Sequence, residues 1–401
     1  MDWSFLTRNK ESLNVTTDSR KVSPGSIFVA LKGEHFDGND YVEQAKADGA
    51  EYVIYGENAL AELQDLARAW RRELGLPILA ITGTNGKTTT KELTAAVLST
   101  KYHLHYTQGN YNNALGVPLT LLQTTRAHEM AIVEMGASHP GDIQELVEIA
   151  EPNYGLITNV GRAHLEGFGS FEGVQRTKAE LYDWLVAHDG IIFRNADNPY
   201  LAAMWETSRS RDHEITRSRT IEYHTGEMPS GTHLVGGYNA ENVSAALCVG
   251  EFFGVPREQA LSAIRAYIPS NNRSQLLQTE RNTIVVDAYN ANPTSMTAAI
   301  NAFSNDQRLT TNDQCFILGA MRELGEYSHL EHQNIVNMLL ERRADHVLLV
   351  GPEYKDTTAP YPIFDNVDAL CEYLQAHPVA GAHILLKGSR SNQLEKALPY
   401  L

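Results

Sequence analysis

The stretch Gly75–Leu93, GLPILAITGTNGKTTTKEL, decides how the rest of the chain is read. Ile78 to Ile81 are uninterrupted apolar residues after Pro77, the pattern of a strand buried on both faces of a parallel sheet. The run enters a loop holding Gly83 and Gly86, and a helix is predicted from about Thr88. Glycines there reach positive φ and let the backbone close on an oxyanion, while the first N–H groups of the helix point at the same place. Lys87 can reach outer phosphates, and Thr88 can offer its hydroxyl to Mg2+. The loop departs from the common spelling G-x-x-x-x-G-K-[ST], because Ile81 stands where the first glycine belongs. The plain alternative is a strand-to-helix turn with a surface lysine. The threonines after the lysine favour a phosphate cradle, so Gly83, Thr84, Asn85, Gly86, Lys87, Thr88 and Thr89 are expected to bind ATP.

Outward from the loop, strand-then-helix units recur. EMAIVEM precedes GDIQELVEIA, and YGLITNV precedes a helix around VQRTKAELYDWLV, which predicts a doubly wound, mostly parallel sheet. Residues 1–76 alternate short apolar runs with turns (SIFVAL, KGEHFDGND, YVEQAKADGA, EYVIYG) and read as a small α/β domain. Residues 77–268 form the central P-loop-type domain. Residues 269–401, with TIVV, CFILG, HVLLVG and HILLKG each followed by a helical pattern, read as a C-terminal Rossmann-like domain. The fold class is therefore α/β in three domains. Asn195 to Gly236 is polar, weakly patterned and unassigned.

The chain has 401 residues and a formal charge of −16, which argues against non-specific nucleic-acid binding. Its three cysteines, Cys248, Cys315 and Cys371, fit neither a disulfide framework nor a zinc pattern and are expected as reduced, mostly buried thiols. No apolar run approaches the roughly 18 residues of a membrane helix, and the N-terminus has no signal core. A soluble, cytoplasmic protein is expected.

Further candidates are ambiguous on residue type alone. Glu134 ends an apolar strand where such sheets bind ligands, yet a strand-end Glu is more often just a solvated rim residue. His164 lies in a turn and could ligate a metal or be merely structural. Lys178 reads as an exposed residue of a charged helix. Asn239 and Asn242 open a helix, where an Asn is a natural cap. Asp287 ends the TIVV strand, and Asn292 with Pro293 gives a strong N-cap and first-turn signal.

The motifs DSRKVSPGSIFVALKGEHFDG, ITGTNGKTTTKEL, GNYNNALGVPLTLL, VEMGASHPGDI, NVGRAHLEGFGSFEGVQRTKAEL, GGYNAENVSAAL, DAYNANPTSM, LGAMRELGEYSHLEH and LLKGSRS together resemble the Mur ligases of peptidoglycan synthesis, in family order across the whole chain. The resemblance implies an ATP-dependent amide ligase acting through an acyl phosphate. The YNANP spelling, and the absence of the arginine-containing motif of the diamino-acid-adding relatives, imply that D-alanyl-D-alanine is joined to UDP-N-acetylmuramoyl-tripeptide. The rivals are a diamino-acid-adding or folylpolyglutamate synthase-like ligase, or a catalytically silent homologue.

The resemblance assigns Lys87, Glu134, His164 and Lys178 to catalysis, and two Mg2+ ions. Thr88 would serve one ion; Glu134, His164 and a CO2-derived carbamate on Lys178 would serve the other. An ammonium about 4 Å from a like charge is opposed by roughly 4 kcal/mol at an effective dielectric near 20, so the lysine must be modified to sit beside a divalent cation. Asn242 would face the adenine, Arg273 the phosphates and Asp287 the ribose. Ser19, Arg20, Phe36, Asp37 and Gly38 would hold the UDP-muramoyl precursor, Asn110, Asn112 and Asn113 its sugar and peptide, and Tyr289, Asn290 and Asn292 the incoming amine. A monomer is expected, with His329 a guess for the general base. The 195–236 segment is short for the family, and Ala320 stands where the family usually has an acid. The third peptide residue is not written in the sequence.

Overall fold

The computed structural model describes residues 3–211, 219–269, 272–305 and 314–401. Three sheets follow one another along the chain. The first is parallel, β1 (Val15–Thr16), β2 (Ile27–Val29) and β3 (Tyr52–Ile54), with helices α1 (Ser4–Thr7), α2 (Val42–Ala47) and α3 (Ala59–Leu74).

The central sheet runs β5-β6-β4-β7-β8-β9, every pair parallel. Its strands are β4 (Ile78–Thr82), β5 (Leu104–Tyr106), β6 (Met130–Glu134), β7 (Tyr154–Ile157), β8 (Ile191–Asn195) and β9 (Arg219–Tyr223). All five residues of β4 are buried, as the continuous apolar run predicts for a strand covered on both faces. Ile78 and Ala80 face one core with α3, α5 (Gly116–Leu122), α6 (Asp142–Ala150) and α8 (Phe171–Ala187). Leu79 and Ile81 face the other, against α4 (Lys87–Leu98), α10 (Asn239–Phe252) and α11 (Arg257–Ala266). From β4 the chain crosses to the edge strand β5, returns through β6, and passes β4 to reach β7 on its other side. The carboxyl ends of β6, β4 and β7 therefore open side by side, where doubly wound sheets bind ligands.

The short helix α7 (Leu165–Phe168) precedes α8, whose N-terminus is capped by the Ser170 side chain accepting from the Gly173 N–H. The segment that could not be assigned contains α9 (Pro199–Arg211) and the edge strand β9, and residues 212–218 within it lie outside the described residues.

In the third sheet the order is β10-β11-β15-β12-β13-β14, with β10 (Gln275–Gln278) antiparallel to β11 (Thr283–Asp287). The remaining pairs, through β12 (Gln314–Gly319), β13 (His346–Val350), β14 (Ile363–Phe364) and β15 (His383–Lys387), are parallel. Helices α12 (Pro293–Asn305) and α13 (Ser328–Glu341) cover one face, and α14 (Val367–Ala376) with the C-terminal turns covers the other. The predicted cap holds at α12, where Asn292 Oδ1 accepts the Ser295 N–H at 2.9 Å.

Helix α3 bridges two sheets, sharing one core with Ile27, Val29 and Ile54 of the first sheet and with the central sheet. Leu63, Leu66 and Trp70 join the core built on β4 and β6, and the Trp70 indole donates to the Thr124 carbonyl at 3.0 Å. Arg68 Nε and Arg71 Nε donate to the Glu148 and Ala150 carbonyls at 2.8 and 3.1 Å. These are the last carbonyls of α6, which have no partner within their own helix. Cys315 and Cys371 are buried, Cys248 is half-buried, and all three are free.

Candidate active site

A cavity of about 890 Å³ opens between the central and C-terminal sheets. The loop after β4 forms its floor. Gly83 has φ of +141° and Gly86 +78°, conformations that favour glycine. A Cβ on Gly86 would also fall 2.3 Å from Asn242 Oδ1. The segment after β7 fixes the loop: the Thr84 and Asn85 N–H groups donate to the Asn159 carbonyl and side-chain oxygen at 2.9 and 3.0 Å. Lys87 heads α4, and its ammonium donates to the Gly83 and Thr84 carbonyls at 2.7 and 3.0 Å. Desolvation in the cleft, helped by Arg273 and opposed by Glu134, pulls its pKa down to about 8.

Glu134 closes β6 and is 1% exposed, which corrects the rim reading. Its Oε1 accepts from Thr88 Oγ1 at 3.1 Å and from Asn112 Nδ2 at 2.8 Å, while Oε2 has no hydrogen-bond partner. A carboxylate offers about four acceptor sites, so this one keeps capacity for a cation. His164 sits at φ +50°, and its Nδ1 meets the carboxylate of Glu323 from the loop after β12. Burial, with Lys87 and Lys178 adding to it, holds its pKa below the ordinary histidine value against the pull of Glu323.

Lys178 is 2% exposed, so the surface reading from sequence is wrong. It lies on the inner side of α8, with Nζ 5.7 Å from the centre of the Phe168 ring. Burial first, then the Lys87 charge, drives its pKa well below the usual lysine range.

From the other side of the cavity come Arg273, Asp287, Tyr289, Asn290, Glu323 and Lys387. Asp287 and Lys387 are opposite one another on β11 and β15 and pair at 2.6 Å. The Arg273 guanidinium stacks 3.9 Å from the Tyr289 ring centre. Asn292 Nδ2 reaches Asn85 Oδ1 at 2.8 Å, joining the C-terminal sheet directly to the phosphate loop. Arg162 strengthens the same join, with its N–H on Thr294 Oγ1 at 3.1 Å and its guanidinium on Glu331 at 3.2 Å.

Asn239 is not the cap of α10; its Nδ2 donates inward to the Val235 carbonyl at 2.7 Å, and its Oδ1 receives Asn242 Nδ2 at 2.9 Å. Asn242 Oδ1 in turn receives the Thr90 hydroxyl at 3.0 Å. Asn110, Asn112 and Asn113 line the cavity, and Asn113 also caps α5 by accepting the Gly116 N–H at 2.8 Å.

Ser19, Arg20, Phe36, Asp37 and Gly38 do not line this cavity. Arg20 pairs with Asp18 at 2.8 Å, Asp37 accepts the Asn39 N–H at 3.0 Å, and Phe36 is exposed. His329 also lies outside, exposed and bonded to the Asp356 carbonyl at 2.9 Å. Ala320 is fully buried and donates to the Val350 carbonyl at 2.8 Å. No role follows from sequence for Lys91, Asn159, Tyr238, Glu323 or Lys387, although each lies within one of the motifs quoted above. The available signals were Lys91 one turn beyond Lys87 and Lys387 at a strand end.

The donors fit Mg2+, a hard cation that prefers oxygen and completes its shell with phosphate and water. Among the described residues there is no group of three or more His, Cys, Asp or Glu side chains that could hold a metal ion. No described helix is long and apolar enough to cross a membrane.

Comparison with known proteins gives three matching families: the Mur ligase family catalytic domain over residues 13–101, the Mur ligase middle domain over 81–250, and the Mur ligase glutamate ligase domain over 272–390. A UDP-N-acetylmuramoyl-tripeptide--D-alanyl-D-alanine ligase of Bacillus subtilis is 33% identical, covering 95% of this chain and 91% of its own. MurF from Acinetobacter baumannii superposes with a TM-score of 0.85 at 27% identity, over 99% of this chain and 96% of that one. MurF ligase from Thermotoga maritima, solved in complex with ADP, gives 0.83 at 26% identity, over 100% and 98%.

Proposed function

Because the chain belongs to the Mur ligase family, we propose that its cavity is the site where ATP drives one carboxylate onto one amine. It is an ATP-dependent ligase that adds D-alanyl-D-alanine to UDP-N-acetylmuramoyl-tripeptide in peptidoglycan synthesis. The observation that carries this reading is the joining of the phosphate loop to the YNANP segment across one cavity. The relatives favour it over the diamino-acid-adding, folylpolyglutamate-type and silent alternatives.

The tripeptide's terminal carboxylate attacks the γ-phosphorus of ATP, releasing ADP and forming an acyl phosphate. The dipeptide amine then adds to the acyl carbon and gives up a proton to solvent, and the tetrahedral adduct expels phosphate. Lys87 and the loop N–H groups hold the transferring phosphoryl group, the kind of positioning from which such reactions gain most of their rate. Arg273 lies across the cavity as a second cation for phosphates, Asp287 takes the ribose, and Asn242 faces the adenine. Tyr289, Asn290 and Asn292 line the route of the amine.

Thr88 would hold one Mg2+; Glu134, His164 and a carbamate on Lys178 would hold a second, and the ions would offset charge on the phosphates. Lys178 suits that modification, since burial and Lys87 favour the neutral amine that combines with CO2. The first domain, through Ser19, Arg20 and the Phe36–Gly38 loop, would take the UDP end of the precursor. We assign the three units to residues 1–76, 77–268 and 269–401, and a cytoplasmic monomer.

The test is phosphate release from ATP and UDP-N-acetylmuramoyl-tripeptide, made dependent on added D-alanyl-D-alanine. Release with a diamino acid and the dipeptide precursor instead, or no release with any amine, would overturn the reading.

A further inference from the structure

Lys91, one turn past Lys87 on α4, is fully buried at 0% exposure. A lysine in such a place must be paired and hydrogen-bonded. Its Nζ donates to the Thr107 carbonyl at 2.6 Å and lies 3.0 Å from Glu92 Oε1. It also stands 5.6 Å from the centre of the Tyr106 ring and 3.8 Å from Glu134 Oε2. Thr107 is itself tied to the end of β6, because its Oγ1 accepts the Glu134 N–H at 3.0 Å and its own N–H donates to the Ile132 carbonyl at 3.0 Å.

One side chain on the phosphate-loop helix thus pins the end of β5 to the end of β6. It also sets a positive charge behind the Glu134 carboxylate. The two faces of that carboxylate are treated differently. Oε1 takes hydrogen bonds from Thr88 and Asn112, both cavity-lining residues. Oε2 faces Lys91 at ion-pair rather than hydrogen-bond range. An apolar side chain would fill the same volume without the cost of burying an ammonium, so the charge calls for a role beyond packing.

We propose that Lys91, acting with Thr107, is a positioning residue for Glu134. It holds the carboxylate from the rear through Oε2 and so presents it to a divalent cation in the cavity. The inference rests on the reading of Glu134 as a ligand of such a cation. It extends that reading to a residue that touches neither nucleotide nor metal.

The experiment is a Mn2+ titration of the full chain with a non-hydrolysable ATP analogue, following bound Mn2+ by electron paramagnetic resonance. Lys91→Met should raise the half-saturating Mn2+ concentration by about tenfold, as loss of a partner behind a metal ligand does. Lys91→Arg, which keeps the charge, should restore most of the affinity. Thr107→Val cuts the same chain of bonds one link nearer Glu134. It should shift the titration in the same direction, which keeps the proposal testable if Lys91→Met does not fold. Mn2+ binding that is unchanged or tighter in the folded variants, or an arginine no better than methionine, overturns the proposal. Glu134→Gln separates the two levels. If it binds Mn2+ like the native chain, the ligand reading of Glu134 falls. If it binds weakly while Lys91→Met and Thr107→Val do not, only the positioning role falls.

Discussion

Lys178 and Lys87 are two lysines whose charge is made costly by their surroundings, and each yields a measurable expectation. Lys178→Ala should lower ligase activity by at least about 100-fold, and millimolar formate or acetate should recover part of it; an alanine variant with native turnover would remove Lys178 from the site. For Lys87, the cleft lowers the pKa to about 8, so the ammonium is complete below that value and is lost as pH rises through it. kcat/KM for ATP, which reports the free enzyme, should therefore fall above about pH 8 and approach a tenfold loss per unit. A flat profile to pH 9.5 would contradict it. The burial of Lys178 and of Glu134 was not legible in the sequence. Lys178 is flanked by Arg176 and Glu180, and Glu134 is followed by Met135 and Gly136, contexts that fit a rim or surface as well as a core. Only the assembled site shows which of these charges has lost its water, and only the family resemblance singled out Lys178 beforehand. Lys91 had neither aid, because nothing local in TTTKEL says which face of the helix is covered.

At the scale of elements, strands announced by uninterrupted apolar runs were legible: ILAIT, MAIVE, TIVVD and HVLLV are all strands with buried interiors. The unassigned 195–236 segment hid β9, in which only Tyr223 is buried, so its apolar signal is weak where it meets solvent. The opposite edge, β5, carries a histidine group. The His103 and His128 rings stack at 4.6 Å, and His105 meets His128 edge-on at 5.3 Å. Burial, with His128 adding to it, pushes His105 down to about 4, below its unfolded value near 6.5. Between those values the unfolded chain binds more protons, so stability is fully present above about pH 6.5 and is lost as pH falls towards 4. After allowance for partial exposure the effect is about 1–2 kcal/mol. Unfolding free energies from urea titrations at pH 7.5 and pH 5 should differ by that much in the native chain and by clearly less in His105→Gln; equal differences would exclude the histidine.

For the whole molecule, Asn292 does two separable jobs. It caps α12 and it bridges to Asn85 in the phosphate loop. Serine is as good a cap but too short for the bridge. Asn292→Ser should therefore keep the melting temperature while lowering kcat by about tenfold, roughly 1.4 kcal/mol of positioning. Asn292→Ala should lose the turnover and also about 1 kcal/mol of stability. If serine retains native kcat, the bridge is incidental to catalysis. The order of the three sheets was readable from the alternation of strands and helices, but the place of α3 was not, since an amphipathic helix does not name the surface it covers. That placement limits how the protein can be taken apart. A chain begun at residue 77 would keep every strand of the central sheet, yet it would uncover the berth of Leu63, Leu66 and Trp70 and leave the carbonyl end of α6 bare. Such a fragment should be recovered insoluble, and adding residues 58–76 back should do more for its yield than any change at the cavity. The workable unit for expression or for grafting a new acceptor domain thus begins ahead of α3, not at the strand where the nucleotide-binding sequence begins.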